Sequence, residues 1–434
     1  MSREMKNSGI PWIGDIPKDW GINLLSSLFD EHKQKNKDLA ETNLLSLSYG
    51  RIIRKDINTK EGLLPESFDG YNVISAGDIV FRLTDLQNDK RSLRTGLCIE
   101  NGIITSAYVT IRGRQALNSA YYHYLFHSYD LCKVFYGMGE GVRQGMNYGD
   151  LRKLLILLPS IEEQQKIASF LDRKCAEIDE MIALQEKIVE ELKTYKQSVI
   201  TEAVTKGLNP DVPRKDSGIE WIGEIPEHWK QGRLKNYFHL HGRIGWNGLR
   251  SEEFQENSYA YLVTGQDFVS RDVNWSRCYQ IRKERYDEDE YIQLKNGDIL
   301  VTKDGTIGKV AVVSNLDKPA CLNSGIFVVK QYEPKQYYPD FIYWLFVSPM
   351  LKTFNDFLNL GGTTIIHLYQ NVFERMPMLL PPFNEQKAIA EYLNAKCTEI
   401  DNLISIKLSK IDSLKEYKKS IIYEYVTGKK EVIE

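Results

Sequence analysis

The chain has 434 residues, a net charge of -3, 26% charged and 11% aromatic residues. That is enough length for two or three domains with their own cores, and too much apolar and aromatic content for a disordered chain. No run of about 18 apolar residues occurs, and the first residues lack the apolar centre of a secretory signal. The six cysteines, Cys98, Cys132, Cys175, Cys278, Cys321 and Cys397, form no C-x-x-C pair. Neither a zinc site nor a disulfide framework is indicated, so a cytoplasmic protein with free thiols is expected. The slightly acidic balance weighs against a nucleic-acid reader, although a whole-chain sum hides any basic face.

In chain order, the first signal is Ser8-Gly9-Ile10, Trp12-Ile13-Gly14, Ile16-Pro17 and Trp20. It returns as Ser217-Gly218-Ile219, Trp221-Ile222-Gly223, Ile225-Pro226 and Trp229, which marks a duplicated unit with a period of about 210 residues rather than a solenoid. These spacings predict an extended apolar strap in which Trp12 and Trp221 pack rather than stack on a ligand. Residues 21–157 alternate short apolar runs with turn signals. The runs 44–48, 79–83 and 108–111 read as strands of a mixed sheet. Tyr122, Leu125, Phe126, Tyr129 and Val134 have helical spacing and predict a helix over 121–136. Residues 230–380 repeat the plan. Gly297-Asp298-Ile299-Leu300 answers Gly77-Asp78-Ile79-Val80, Asn323-Ser324-Gly325-Ile326 answers Thr105-Ser106-Ala107-Tyr108, and Tyr343-Trp344-Leu345-Phe346 answers His123-Tyr124-Leu125-Phe126. The loops match far less well, as expected for two readers of different targets on one scaffold.

The clearest repeat is residues 159–207 against 381–428. It includes Glu163-Gln164 and Glu385-Gln386, Cys175 and Cys397, and Val204-Thr205 and Val426-Thr427, at a constant offset of 222 residues. Leu171, Cys175, Ile178, Ile182, Gln185, Val189, Leu192, Lys196 and Val199 advance in steps of four and three. So do Leu393, Cys397, Ile400, Ile404, Lys407, Ile411, Leu414, Lys418 and Ile421. This is a coiled-coil seam, and its apolar members are the expected helix-pair interface. The polar breaks at Gln185/Lys407 and Lys196/Lys418 read equally as register-fixing residues or as tolerated exposed positions. A helix of roughly 40 residues is about 60 Å long, whereas the linker 207–216, with Pro210 and Pro213, reaches at most about 35 Å. Antiparallel pairing follows. The expected architecture is α+β: two mixed α/β domains (1–158 and 208–380) separated by two long antiparallel coiled-coil helices (159–207 and 381–434), a dumbbell with pseudo-twofold duplication.

Fragments that imitate catalytic motifs fail on inspection. Leu380-Pro381-Pro382-Phe383 has leucine where an amino-methyltransferase loop needs a polar group. Gly305-Thr306-Ile307-Gly308-Lys309 has the first glycine of a phosphate loop misplaced and Val310 where the magnesium-binding hydroxyl belongs. Gly137-Met138-Gly139-Glu140-Gly141 lacks a dinucleotide-site setting, and His239 with His241 has no third metal ligand in view. No catalytic residue, cofactor or metal is assigned to this chain. Polar and basic residues do cluster in the loops: Arg51, Arg82, Lys90, Arg91, Arg94, Arg143, Gln144 and Tyr148 in the first domain, and Arg243, Trp246, Arg250, Lys303, Lys309, Thr363, Thr364, His367 and Tyr369 in the second. Arginine forks and amides suit base edges, and lysine and threonine suit phosphates, so these are the candidate DNA-binding residues.

The whole chain resembles the specificity subunit of type I restriction–modification enzymes. The resemblance rests on the repeated Pro-x-x-x-Glu-Gln-x-x-Ile-Ala lead into a long helix, with Gln165-Lys166-Ile167-Ala168 and Lys387-Ala388-Ile389-Ala390. It rests also on the Trp-Ile-Gly-x-Ile-Pro strap and on the stretch from Gly297-Asp298-Ile299-Leu300 to Asp304-Gly305-Thr306-Ile307-Gly308. It implies two target-recognition domains, each reading half of a bipartite DNA site, and helices that set the spacer and dock two methyltransferase subunits. Those partners would carry S-adenosylmethionine, and restriction subunits would join them. The first domain departs from the pattern where residues 82–91 replace the Asp-Gly-Thr-Ile-Gly turn. The competing reading is a coiled-coil protein-interaction scaffold that binds no DNA.

Overall fold

The computed structural model describes residues 3–58, 67–86, 93–138, 145–243, 249–333, 336–358 and 367–433. They form two compact units, Met1–Glu186 with Leu408–Glu434, and Lys187–Lys407. Each unit therefore holds one globular domain, the start of one long helix and the end of the other.

In the first unit the four-stranded sheet runs in the order Thr95–Leu97, Ile79–Phe81, Val109–Gly113, Phe29–Glu31. In the second, Val310–Val312, Ile299–Thr302, Ile326–Gln331 and Phe238–Gly242 take the same four places, and Asp272–Val273 and Phe268–Val269 extend the sheet to six strands. Each unit adds a three-stranded sheet: Gly102–Ile104, Asn72–Ile74 and Gln34–Lys35 in the first, Tyr279–Ile281, Ala260–Val263 and Ala320–Leu322 in the second. The duplicated Gly-Asp turns are built alike. Gly77 and Gly297 share φ +95°, and the Asp78 and Asp298 carboxylates each accept a backbone N–H three residues upstream at 2.8 Å. Two sequence boundaries shift. The expected helix 121–136 is Ser119–Leu131, capped by the Asn118 side chain and followed, past a left-handed Lys133 (φ 59°), by a separate 3-10 turn. The strap is not simply extended. It is a ribbon of Met5–Asn7 and Asp15–Pro17 (Arg214–Asp216 and Glu224–Pro226 in the second unit) joined by a turn. Trp12 packs edge-on against Tyr129 at 5.8 Å, while the largest fully buried rings of these stretches are Trp20 and Trp229.

The long helices are Ile161–Lys206 and Phe383–Val426. The Glu-Gln pair at each start is a joint. Gln164 is buried; its amide donates to the Pro159 carbonyl at 3.0 Å and accepts from the Asn118 N–H at 3.0 Å. Gln386 repeats this with Pro381 at 2.9 Å and the Tyr338 N–H at 2.9 Å. Asn118 and Tyr338 are the capping residues of the domain helices Ser119–Leu131 and Pro339–Val347, so one amide ties two helix starts together. The adjacent carboxylates hold the strap: Trp20 donates to Glu163 at 2.8 Å and Trp229 to Glu385 at 3.0 Å. Nine residues further along each helix, about two and a half turns, Tyr124 donates to Asp172, and Trp344 to Asn394, each at 2.8 Å. The helices end on left-handed Gly207 and Gly428 (φ 75° and 70°). A Cβ on Gly428 would lie 2.4 Å from Pro17, so close approach as well as φ demands glycine there.

Within each unit the two helices are antiparallel. In the first, Phe170 meets Tyr425 (4.4 Å between ring centroids), and Lys418 places its ammonium 2.7 Å from both oxygens of Asp179. In the second, Lys196 does the same to Asp401, also at 2.7 Å. Of the predicted interface, Leu171, Ile178, Ile182, Val189, Val199, Leu393, Ile400, Ile411 and Ile421 are buried, and Leu192, Ile404 and Leu414 half-buried. Each such side chain is worth about 1.5–3 kcal/mol when fully buried. A partly exposed ion pair is worth at most about 1 kcal/mol. The apolar seam therefore supplies stability, and the lysines choose among registers.

Two expected outcomes follow. Asp179→Lys destabilises the chain, and adding Lys418→Asp restores part of the loss, with a coupling of about 0.5–1 kcal/mol in a double-mutant cycle read by urea unfolding. His123 and His127 line a cavity of about 700 Å³ between the domain helix and both long helices. Burial lowers each imidazole to about 4 from an ordinary value near 6.5. The folded state binds fewer protons than the unfolded state in that window. Stability from these groups is thus complete above about 6.5 and lost as pH falls towards 4. Replacing both by phenylalanine flattens this part of the pH–stability curve.

Candidate nucleic-acid interface

In the second unit the strands Ile299–Thr302 and Val310–Val312 are joined by a tight turn. Thr302 accepts the Lys309 N–H through its hydroxyl at 3.0 Å, and Gly308 donates to the Thr302 carbonyl at 3.0 Å. Gly305 and Gly308 supply φ of 67° and 80°. The turn links strand to strand, not strand to helix, so it is not a phosphate loop. The Leu368 N–H bonds the Lys303 carbonyl at 3.0 Å, which brings residues 367–369 alongside. His367 Nδ1 meets the Asp304 carboxylate, and the His367 and Tyr369 rings lie 4.6 Å apart. Tyr369 is 62% exposed, and Asp304, Thr306 and Lys309 are also exposed. Lys303 is half-buried, its ammonium 4.9 Å over the Phe327 ring. This cluster offers an ammonium and a hydroxyl for phosphates, and an oriented carboxylate and an aromatic ring for base edges.

Arg250 is exposed on a short turn whose backbone N–H is held by Glu253 at 2.8 Å. Arg243 is only 2% exposed, and its guanidinium meets the Leu322 carbonyl at 3.0 Å and the Cys321 sulfur at 3.4 Å. It is an interior residue here, contrary to its assignment as a DNA contact. Trp246, Thr363 and Thr364 lie outside the described residues.

In the first unit Arg94 is likewise interior, fully buried and bonded to the Thr84 carbonyl at 3.0 Å, the Asp85 carbonyl at 3.4 Å and the Tyr136 hydroxyl at 3.3 Å. Arg82 is half-buried, and its N–H continues the strand ladder to the Arg94 carbonyl at 2.8 Å. Tyr148 spends its hydroxyl on the Phe29 carbonyl at 2.8 Å, and desolvation raises its pKa. Arg51 is exposed but turned to the first long helix, 3.3 Å from Asp179. Lys90, Arg91, Arg143 and Gln144 lie outside the described residues. Residue type alone could not separate the buried arginines from the exposed ones. Sequence reasoning also passed over Asp304, whose charge argues against DNA in isolation, and Tyr49, 76% exposed at the tip of the hairpin Leu45–Ser48/Arg51–Arg54. The Tyr49-Gly50 pair, with φ 45° and 79°, is a tight-hairpin signal that could have located it.

The sequence matches the family described as type I restriction modification DNA specificity domain over residues 101–195 and 226–416. A putative type I restriction enzyme MjaX specificity subunit of Methanocaldococcus jannaschii is 25% identical, across 96% of this chain and 95% of its own length. The MjaVIII specificity subunit of the same organism is 27% identical, across 76% and 75%. A solved chain from work on complex assembly and conformational transition of the type I R-M system shares the fold, with TM-score 0.70 at 15% identity, across 95% of this chain and 99% of that one. The family match spans more than half of the sequence and reaches into both globular domains, and the chain belongs to the type I restriction modification DNA specificity family, as a specificity subunit.

Proposed function

We propose that each globular domain reads one half of a bipartite DNA site, that the long helices set the spacer, and that they dock two methyltransferase subunits. The observation that carries this reading is a second apolar stripe beside the seam, repeated on both helices at the same offset. Met181 and Leu403 (44% and 40% exposed), Leu184 and Ile406 (55% and 62%), and Tyr195 and Tyr417 (49% and 55%) are large apolar side chains left in water. Exposed apolar patches of this kind mark protein contacts, and an identical pattern on two copies supports two copies of one partner. The exposed turn at 302–309 with residues 367–369 supports DNA reading in the second domain. In this account the chain does no bond-making. S-adenosylmethionine belongs to the methyltransferase partners, restriction subunits complete the assembly, and the complex works in the cytoplasm. Among the described residues no helix is long and apolar enough to cross a membrane.

The test is a change of helix length. One heptad inserted into each helix at equivalent positions adds about 10 Å, or roughly three base pairs at about 3.4 Å per pair. Sequencing of methylated sites in a host carrying the altered chain and its partners is expected to show unchanged half-sites with a longer spacer. An unchanged spacer would sink the ruler role. A protein-binding scaffold without DNA contact would give no gapped motif with either chain.

A further inference from the structure

The buried arginines deepen the DNA-reading account and rest on it. Arg94 follows the connection between two strands of the four-stranded sheet. Its guanidinium fork reaches back to the carbonyls of Thr84 and Asp85 at 3.0 and 3.4 Å, and lies 5.6 Å from the Tyr136 ring. Its own N–H donates to the Asp130 carboxylate at 2.6 Å. Asp85 holds a left-handed backbone (φ 55°), a conformation that aspartate adopts more readily than most non-glycine residues. The Leu83 carbonyl accepts from the Met146 N–H at 2.9 Å, and Leu83 and Leu86 are buried, so residues 82–86 are fastened from several sides. Thr84 is left exposed on this frame.

In the second unit Arg243 is the other interior guanidinium; it stands at the opposite edge of the matching sheet, directly after the edge strand Phe238–Gly242. Its Nε donates to the carbonyl of Leu322, the last residue of the strand Ala320–Leu322. That strand leads into the turn whose Gly325 carbonyl accepts the Lys303 N–H at 2.9 Å, and the Lys303 carbonyl in turn holds Leu368. The exposed Lys309, Asp304 and Tyr369 therefore stand on backbone that Arg243 helps to fix.

We propose that Arg94 and Arg243 are positioning residues, one for each reader: each interior guanidinium fixes the backbone from which contact side chains project, and neither touches DNA. A planar fork spans the two carbonyls at Arg94, and the carbonyl and sulfur at Arg243, and lysine, a point charge, cannot. Charge is conserved in an Arg→Lys change, so geometry alone is altered.

The experiment uses the full chain assembled with its methyltransferase partners. Methylated sites are sequenced for Arg94→Lys and Arg243→Lys, and DNA affinity is measured against salt concentration. Discrimination is expected to fall about tenfold or more at bases in one half-site for Arg94→Lys and in the other half-site for Arg243→Lys, with the slope of log affinity against log salt unchanged. Tyr136→Phe, which removes one acceptor of the Arg94 fork, relaxes the same half-site as Arg94→Lys to a smaller extent, and it serves if Arg94→Lys does not fold. A salt slope smaller by about one, with both half-sites intact, would make these arginines phosphate contacts and overturn the proposal. Methylation that fades over the whole motif with no base relaxed would reduce them to fold stability and also overturn it. Absence of any gapped motif with the unaltered chain would instead sink the DNA-reading account beneath it.

Discussion

One side-chain amide, used twice, sets the geometry on which the rest depends. Gln164 and Gln386 are each 1% exposed and each bond both the carbonyl that precedes a long helix and the N–H that opens a domain helix. The apolar seam contributes more free energy, but burial has no direction. A buried amide left without either partner costs about 1–3 kcal/mol, so the amide selects the angle at which the helix leaves its domain. With that angle fixed, Glu163 and Glu385 meet the strap tryptophans, and Tyr124 and Trp344 meet the helices at Asp172 and Asn394. The far end of the second helix is held by other contacts. Gly428 packs under Pro17, and Tyr121 caps the Val426 carbonyl at 3.0 Å.

This architecture was legible in the sequence wherever one physical effect decides the outcome. Steps of four and three specify a seam, and Leu171, Ile178 and Leu393 are buried in it. A fixed offset specifies duplication, and the Lys418–Asp179 and Lys196–Asp401 pairs repeat it atom for atom. The two readings of the polar breaks divide here: Lys196 and Lys418 have carboxylate partners, while Gln185 is buried with its side-chain oxygen unpartnered among the described residues. The Glu-Gln motif was visible as a repeat, but its task was not, because its partners Asn118 and Tyr338 lie more than 40 residues away.

The candidate interface was less legible because an arginine has the same letter inside and outside. Arg94 and Arg243 were grouped with Arg51 and Arg250 by charge, and burial separates them. The acidic net charge misled for a related reason. The helix surfaces pair much of their charge locally, as in Lys174–Glu177, Lys193–Glu190, Lys396–Glu399 and Lys419–Glu416. Such pairs cancel in the sum, which says nothing of where the remaining charges sit, and Lys309 and Arg250 stand exposed on turns. Recognition depends on local potential at such turns, not on the total.

The central claim is that this chain chooses the DNA sequence on which its partners act. Its most direct test compares adenine methylation across the genome of a host with and without this chain, with the methyltransferase partner present in both. The account predicts one gapped, asymmetric motif that is methylated only when the chain is present. Methylation that is the same in both hosts would contradict it.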